Sequence, residues 1–145
     1  MTIKLDTVIY KPGTKELFNG VYTDSLNGMK IKFEVVNGKK NGKFETFYSN
    51  GNPQMLGYLK NNRNEGEWKY FYDDGSIESY GNFENDKPEG KWSWFFPDSL
   101  LRQTGYFHLG EREGIWKTYD ETGTLVDSVL VQPDSTHPHK DLMSH

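Results

Sequence analysis

The sequence predicts an all-β protein: an array of stacked antiparallel β-hairpins, built from 24-residue repeats, that forms one elongated twisted sheet. Three observations carry this expectation. Gly42, Gly66, Gly90 and Gly114 recur every 24 residues, and the second residue after each is a ring: Phe44, Trp68, Trp92 and Trp116. Turn dipeptides (Asn50-Gly51, Asp74-Gly75, Thr122-Gly123) stand between segments in which apolar and polar residues alternate, the period of a strand and not of a helix. Finally, only 34% of residues are hydrophobic, whereas there are nine Tyr, nine Phe, four Trp and fifteen Gly, so burial leans on rings and glycine turns.

Residues 1–41 read as a degenerate first unit that caps the array. Ile3, Leu5, Val8 and Ile9 alternate loosely as a short strand, Pro12-Gly13 signals a turn, and Leu17 to Tyr22 form a second strand. In residues 29–36 the alternation is clear, with Met29, Ile31, Phe33 and Val35 on one face, and Asn37-Gly38 opens the next turn. Four units follow, 42–65, 66–89, 90–113 and a truncated 114–131. The third carries Asp98-Ser99 where the others have glycine, so its turn is expected to be distorted or of another type. Residues 132–145, with two prolines and no ring other than imidazole, read as a disordered tail. Its His137-Pro138-His139 is a weak metal signal, since no carboxylate is fixed nearby.

The pattern also implies a register. If Asp74 and Gly75 are the two central residues of a type I′ turn, Asp73 pairs with Ser76, Tyr72 with Ile77 and Trp68 with Gly81. Trp68, Tyr70, Tyr72, Ile77, Ser79, Gly81 and Phe83 then share one face, and Glu67, Lys69, Phe71, Glu78, Tyr80, Asn82 and Glu84 share the other. Gly57, Gly81 and Gly105 fall across from Phe44, Trp68 and Trp92, so each ring is expected to lie over the bare backbone opposite it, and Gly81→Val to displace Trp68. One hairpin buries too little to be stable alone, so the units must stack and their rings form a ladder. The ladder fades at Asp120, Asp127 and Val129, which suits a C-terminal cap.

Charge and composition exclude several functions. The formal net charge is −4, and residues 42–131 hold nine basic against fifteen acidic side chains, so such an array repels phosphate backbones and anionic lipid. Neither nucleic acid nor a membrane is expected as a partner. With no cysteine there is no disulfide or thiolate site. The N-terminus lacks a signal-peptide core, which reads as cytoplasmic as the sequence stands, or as exported or surface-attached if a leader has been removed. Paired acids such as Asp73-Asp74, Glu111 with Glu113, and Asp120-Glu121 could do carboxylate hydrolase chemistry, but they fall at turns of a sheet with no deep pocket. No catalytic, cofactor-binding or metal-binding residue is assigned, and His108 is read as a cross-strand neighbour.

The unit Gly-X-Trp-X-X-ring-ring-X-X-Gly, followed by Gly-X-Phe and then Asn-X-X-X-X-Gly, resembles the variant MORN repeat of bacterial proteins. More narrowly, with Tyr10 to Tyr22 as a family-like opening, it resembles the YwqK-type antitoxin family. The resemblance spans roughly residues 8–131. It implies the hairpin array, no catalytic residues, and a scaffold that contacts proteins or lipids. The function expected is non-enzymatic binding of another protein, such as a toxin, through the sheet, with a surface or membrane-associated structural repeat protein as the alternative. Phe47, Phe71, Phe95 and Tyr119, together with Tyr80, should project from the face opposite the ring ladder, among charges, where they could serve as interface anchors.

Overall fold

The computed structural model describes residues 7–132. Ten strands run in sequence order: β1 (Gly20–Leu26), β2 (Met29–Val36), β3 (Lys39–Phe47), β4 (Pro53–Lys60), β5 (Arg63–Phe71), β6 (Ile77–Glu84), β7 (Lys87–Phe95), β8 (Leu101–His108), β9 (Glu111–Tyr119) and β10 (Leu125–Val131). Each pairs antiparallel with its neighbours in one open sheet, in the order β1 to β10. The expected all-β hairpin array is therefore the fold. At the N-terminus, the strand expected over residues 17–22 begins only at Gly20, and Leu17 is held to Tyr10 by an isolated bridge. Of the early strand expected at the N-terminus, Val8 and Ile9 are described and lie in no strand; its part on residues 1–6, and the tail with His137-Pro138-His139 over residues 133–145, lie outside the described residues.

From β2 onward the two ends of the sheet use different turns, and the expected assignment is reversed. The two-residue type I′ loops at one end are Asn37-Gly38, Asn61-Asn62, Asn85-Asp86 and Leu109-Gly110, where both residues have positive φ (49° and 78°, 49° and 70°, 49° and 71°, 50° and 85°); Asn27-Gly28, between β1 and β2, is a fifth (53° and 81°), at the opposite end. Asn50-Gly51, Asp74-Gly75 and Thr122-Gly123 instead end three-residue loops in which only the glycine has positive φ. In the loop at 73–75, Gly75 N donates to Tyr72 O at 3.0 Å and Tyr72 N to Ser76 O at 2.8 Å. Asp98-Ser99 is not distorted. Its hydrogen bonds repeat the pattern (Ser99 N to Phe96 O at 2.9 Å, Phe96 N to Leu100 O at 2.8 Å), and Ser99 itself takes φ 74°.

A three-residue loop offsets the register by one residue, and a β-bulge restores it. Phe71 pairs with Ile77, Tyr70 with Ser79, and Trp68 with Gly81 as expected. Glu78 is the extra residue. Ile77 therefore shares a face with Phe71 and not with Tyr70, and Glu78 crosses to the ring face, where it helps line a hollow with Tyr70, Ser79 and Trp94. Gln54, the equivalent residue one period earlier, sits on the ring face too, accepting from the Thr46 hydroxyl at 3.2 Å. The sequence had placed Ile77 and Glu78 on the opposite faces.

The core is a ladder on one face. Tyr22 and Phe33 stack at 5.0 Å between ring centres, Phe33 and Phe44 at 5.8 Å, and Phe44 and Trp68 at 5.5 Å. Phe83 stands edge-on between Trp68 and Trp92 (6.0 and 5.2 Å), and Phe107 edge-on between Trp92 and Trp116 (6.3 and 5.2 Å). All three tryptophans are buried.

Which ring covers which glycine departs from expectation. A Cβ added to Gly81 would stand 2.1 Å from Trp92, not against Trp68; one on Gly57 would meet Trp68, and one on Gly105 would meet Trp116, each also at 2.1 Å. Each glycine is thus covered by the ring of the following unit, carried on the strand at its other side. The tryptophan also hydrogen-bonds there, with Trp68 Nε1 donating to Tyr58 O at 3.0 Å and Trp92 Nε1 to Asn82 O at 3.1 Å. Bulges make this overlap possible: β4 and β5 lose step between Leu56–Lys69 and Tyr58–Glu65, at Gly66, whose φ is 75°. Val129 occupies the matching place on β10, where no further ring follows, and it is exposed.

Candidate binding surface

Ladder pairing fixes which side chains leave the sheet opposite the tryptophans. Residues directly paired across two strands share a face, and alternate residues along a strand reverse it. Phe47, Phe71, Phe95 and Tyr119 accordingly project from the outer face, as expected from the sequence, and each has an apolar residue beside it on the return strand: Pro53, Ile77, Leu101 and Leu125. These partners were not foreseen, because the bulges that bring them to this face leave no sequence signal apart from the loop length. Phe47, Phe71, Phe95 and Tyr119 are half-buried, whereas Tyr80 is 37% exposed and stacks on Phe95 at 5.9 Å. The structure thus brings Tyr80 and Phe95 into contact and sets Phe47, Phe71, Phe95 and Tyr119 at four successive repeats of one row.

Inward from this row, toward the middle of the strands, runs a second, Lys32, Glu45, Leu56, Lys69, Tyr80, Ser93, Thr104 and Lys117 from β2 to β9, in register. Lys69 Nζ lies 3.5 Å from Glu67, and both side chains are about half exposed. A pair so exposed contributes little to stability.

Carboxylates that might have done chemistry are occupied elsewhere. Asp74 accepts from the Ser76 hydroxyl at 2.6 Å and from its amide at 2.9 Å. Asp120 accepts from Thr122 Oγ1 at 2.6 Å, from the Thr122 amide at 2.9 Å and from the Thr124 amide at 3.1 Å. These hydrogen bonds, led by the hydroxyl in each case, hold both carboxyls below the usual range, so neither is suited to act as a general acid near neutrality. Glu89 receives the Leu109 amide at 2.8 Å and meets His108 Nδ1 at 3.0 Å, while His108 pairs across the ladder with Glu111, the cross-strand position expected for this histidine. Among the described residues no group of three or more His, Cys, Asp or Glu could hold a metal ion. No helix is long and apolar enough to cross a membrane.

Burial also perturbs the titration of Tyr70 and Lys40. Tyr70, on the ring face beside Trp68 and Trp92, has its phenol pushed up to about 12 by desolvation. Lys40 is 2% exposed, with Nζ 5.7 Å from the centre of the Phe33 ring; desolvation lowers its pKa. Its amide donates to Asn62 Oδ1 at 2.8 Å.

The family model described as MORN repeat variant matches residues 40–61, 64–85 and 112–129. The first two matches begin 24 residues apart and the third 48 residues later, so all three share one phase with the structural repeat. The stretch between the second and third has the same geometry, with Trp92 paired to Gly105 and a bulge between Trp94–Gln103 and Phe95–Leu101. No curated protein matches the chain.

Proposed function

We propose that this chain, whose repeats match the MORN repeat variant, is a non-enzymatic repeat scaffold that binds another protein through the outer face of its sheet. One observation carries the reading. At four successive repeats the same outer position holds a large ring with an apolar neighbour, and no second layer covers that face among the described residues. The buried tryptophans lie on the other face, so the outer rings take no part in the ring ladder. Exposed aromatic groups set among charges are the usual anchors of protein interfaces.

The test is affinity purification from the native host with chemical cross-linking, comparing the parent chain with a Phe71→Ala/Phe95→Ala variant whose fold is checked by circular dichroism. A partner recovered by the parent and lost by the folded variant is the expected result. Recovery of the same partner by both would refute the use of this face.

A further inference from the structure

We infer that the hollow over Trp92, on the ring face, binds an organic cation, a guanidinium or an alkylated ammonium group, with Glu78 as its counter-charge. The site lies on the opposite face of the sheet from the surface proposed for protein binding and does not depend on that reading. A difference between successive repeats points to it. At Trp116 the chain supplies its own cation: the guanidinium carbon of Arg112 lies 4.2 Å from the centre of the indole. Arg112 pairs with Phe107 across the ladder, and one period earlier the same place, paired with Phe83, is held by Pro88. Proline has no charge to offer, so among the described residues no cation of the chain stacks on Trp92.

The surrounding rings suit such a group. Four of them stand around Trp92, with centres at 6.4 Å (Tyr70), 5.2 Å (Phe83), 6.2 Å (Trp94) and 6.3 Å (Phe107). The planes of Phe83 and Phe107 are at 82° and 86° to the indole. Among the described residues Trp68 has three such neighbours and Trp116 two. Aromatic faces attract cations, the indole most strongly, and several rings around one point form cages for alkylated ammonium groups. All five rings line the hollow, which measures about 340 Å³. Small-ligand sites begin at about 300 Å³.

Negative charge is supplied at the same place. Glu78, brought to this face by the β-bulge, is the one charged residue lining the hollow, and its carboxylate makes no hydrogen bond or ion pair with a described residue. At the other bulges the corresponding residues are Gln54, Arg102 and Val126, so a carboxylate and four rings come together only at Trp92. Ser79, paired with Tyr70 on one side and Trp94 on the other, keeps bulk out of the space between those two rings. One carboxylate is too little for a metal ion such as calcium, which takes about six to eight oxygens. A neutral ligand of the same shape would cover the carboxylate without pairing it.

The experiment titrates the intact protein with tetramethylammonium and methylguanidinium chlorides at constant ionic strength, following indole fluorescence and the ring-current shift of the ligand methyl signal. Neopentyl alcohol serves as the neutral probe of tetramethylammonium shape. Saturable binding of a cation, about tenfold or more tighter than that of neopentyl alcohol, is expected. Glu78→Gln should weaken it about fivefold or more. Pro88→Arg, which sets at Trp92 the residue that stacks on Trp116, should abolish it in a variant whose circular dichroism matches the parent's. N-acetylarginine amide and N-acetyltrimethyllysine amide form a further arm: tighter binding than the free cations identifies a protein side chain as the source of the group, and binding no tighter identifies a free small molecule. Absence of saturable cation binding, equal affinity for neopentyl alcohol, or cation binding unchanged in either variant would overturn the inference and leave the outer-face reading standing.

Discussion

Gly81→Ala is the substitution that most directly probes how the repeats are joined. The added Cβ would stand 2.1 Å from Trp92 Cδ2, 2.3 Å from Cε2 and 2.5 Å from Cγ, against an ordinary carbon contact of about 3.5–4.0 Å. The indole must therefore lift by more than 1 Å over its width. In doing so it loses face contact with the β6 backbone and strains the Nε1 hydrogen bond to Asn82 O, now 3.1 Å, and it pushes on Phe83 and Phe107, which meet it edge-on at 5.2 and 6.3 Å. Overpacking of this kind costs about 1–3 kcal/mol, and the lost hydrogen bond about 1 more, while replacing a strand glycine recovers less than about 1. The expected net loss is about 2–3 kcal/mol, read as a fall in the urea midpoint at unchanged slope. A double-mutant cycle then names the ring. Gly81→Ala should couple to Trp92→Phe and be additive with Trp68→Phe. Coupling to Trp68 instead, or an unaltered midpoint, would refute the conclusion that each glycine serves the unit that follows it.

Four further outcomes are expected. Ser99→Gly and Leu109→Asn each relieve a left-handed backbone at φ 74° and 50° and should raise the urea midpoint by an amount equivalent to about 1 kcal/mol, whereas destabilisation would mean that the side chains matter more than the backbone there. Tyr70 is held neutral in the fold with a pKa of about 12 against an unfolded value near 10, so its contribution is complete below pH 10 and disappears as pH rises toward 12. The alkaline loss of stability should accordingly be smaller by about 2 kcal/mol in Tyr70→Phe, and parallel curves for the two proteins would refute this. Lys40, whose folded pKa lies below its unfolded value, opposes folding while it is charged, and the penalty fades as pH rises through the folded value. Lys40→Met should therefore raise the midpoint at neutral pH by about 1 kcal/mol, and a lowered midpoint would show that the ammonium makes a favourable contact beyond the Phe33 ring.

Much of this was legible before any coordinates. A 24-residue period in glycine and tryptophan can arise only from a repeated element, and alternation of side chains gave the strand, the ring face and the pairing of Trp68 with Gly81. Turn chemistry was misread because Asp-Gly suits both a type I′ turn and a three-residue loop ending in a left-handed glycine; the hydrogen bond from Gly75 N to Tyr72 O selects the second. That choice decides the bulge at Glu78, and hence the faces of Ile77 and Glu78, which no local pattern reveals. Of the candidate site, the rings at 47, 71, 95 and 119 were visible from period and parity. Their apolar neighbours Pro53, Ile77, Leu101 and Leu125 were not, because the bulges that bring them to this face become known only with the register.

The direction of the contacts gives the array a polarity. Since the ring of each unit lies on the glycine of the one before, the site for Trp116 is completed by Gly105 on β8, and the strand after it needs no glycine because no ring arrives. Val129 occupies that position on β10, with a Cβ where Gly57, Gly81 and Gly105 have room for an indole. Ties near the three-residue loops weaken in the same direction. Tyr48 donates to Phe71 O at 2.5 Å and Tyr72 to Phe95 O at 2.7 Å, but Phe96, the next residue in phase, has no hydroxyl to offer. Asn50 and Asn52 also bridge to Asp73 O, at 2.7 and 2.9 Å. A stacked array whose stability is a sum over neighbouring interfaces is then, among the repeats from β3 onward, tied least at the β9–β10 end. The outer rings Phe47, Phe71 and Phe95 belong to the part of the sheet that carries these ties, so the surface proposed for binding sits on repeats joined by side-chain hydrogen bonds as well as by the ladder.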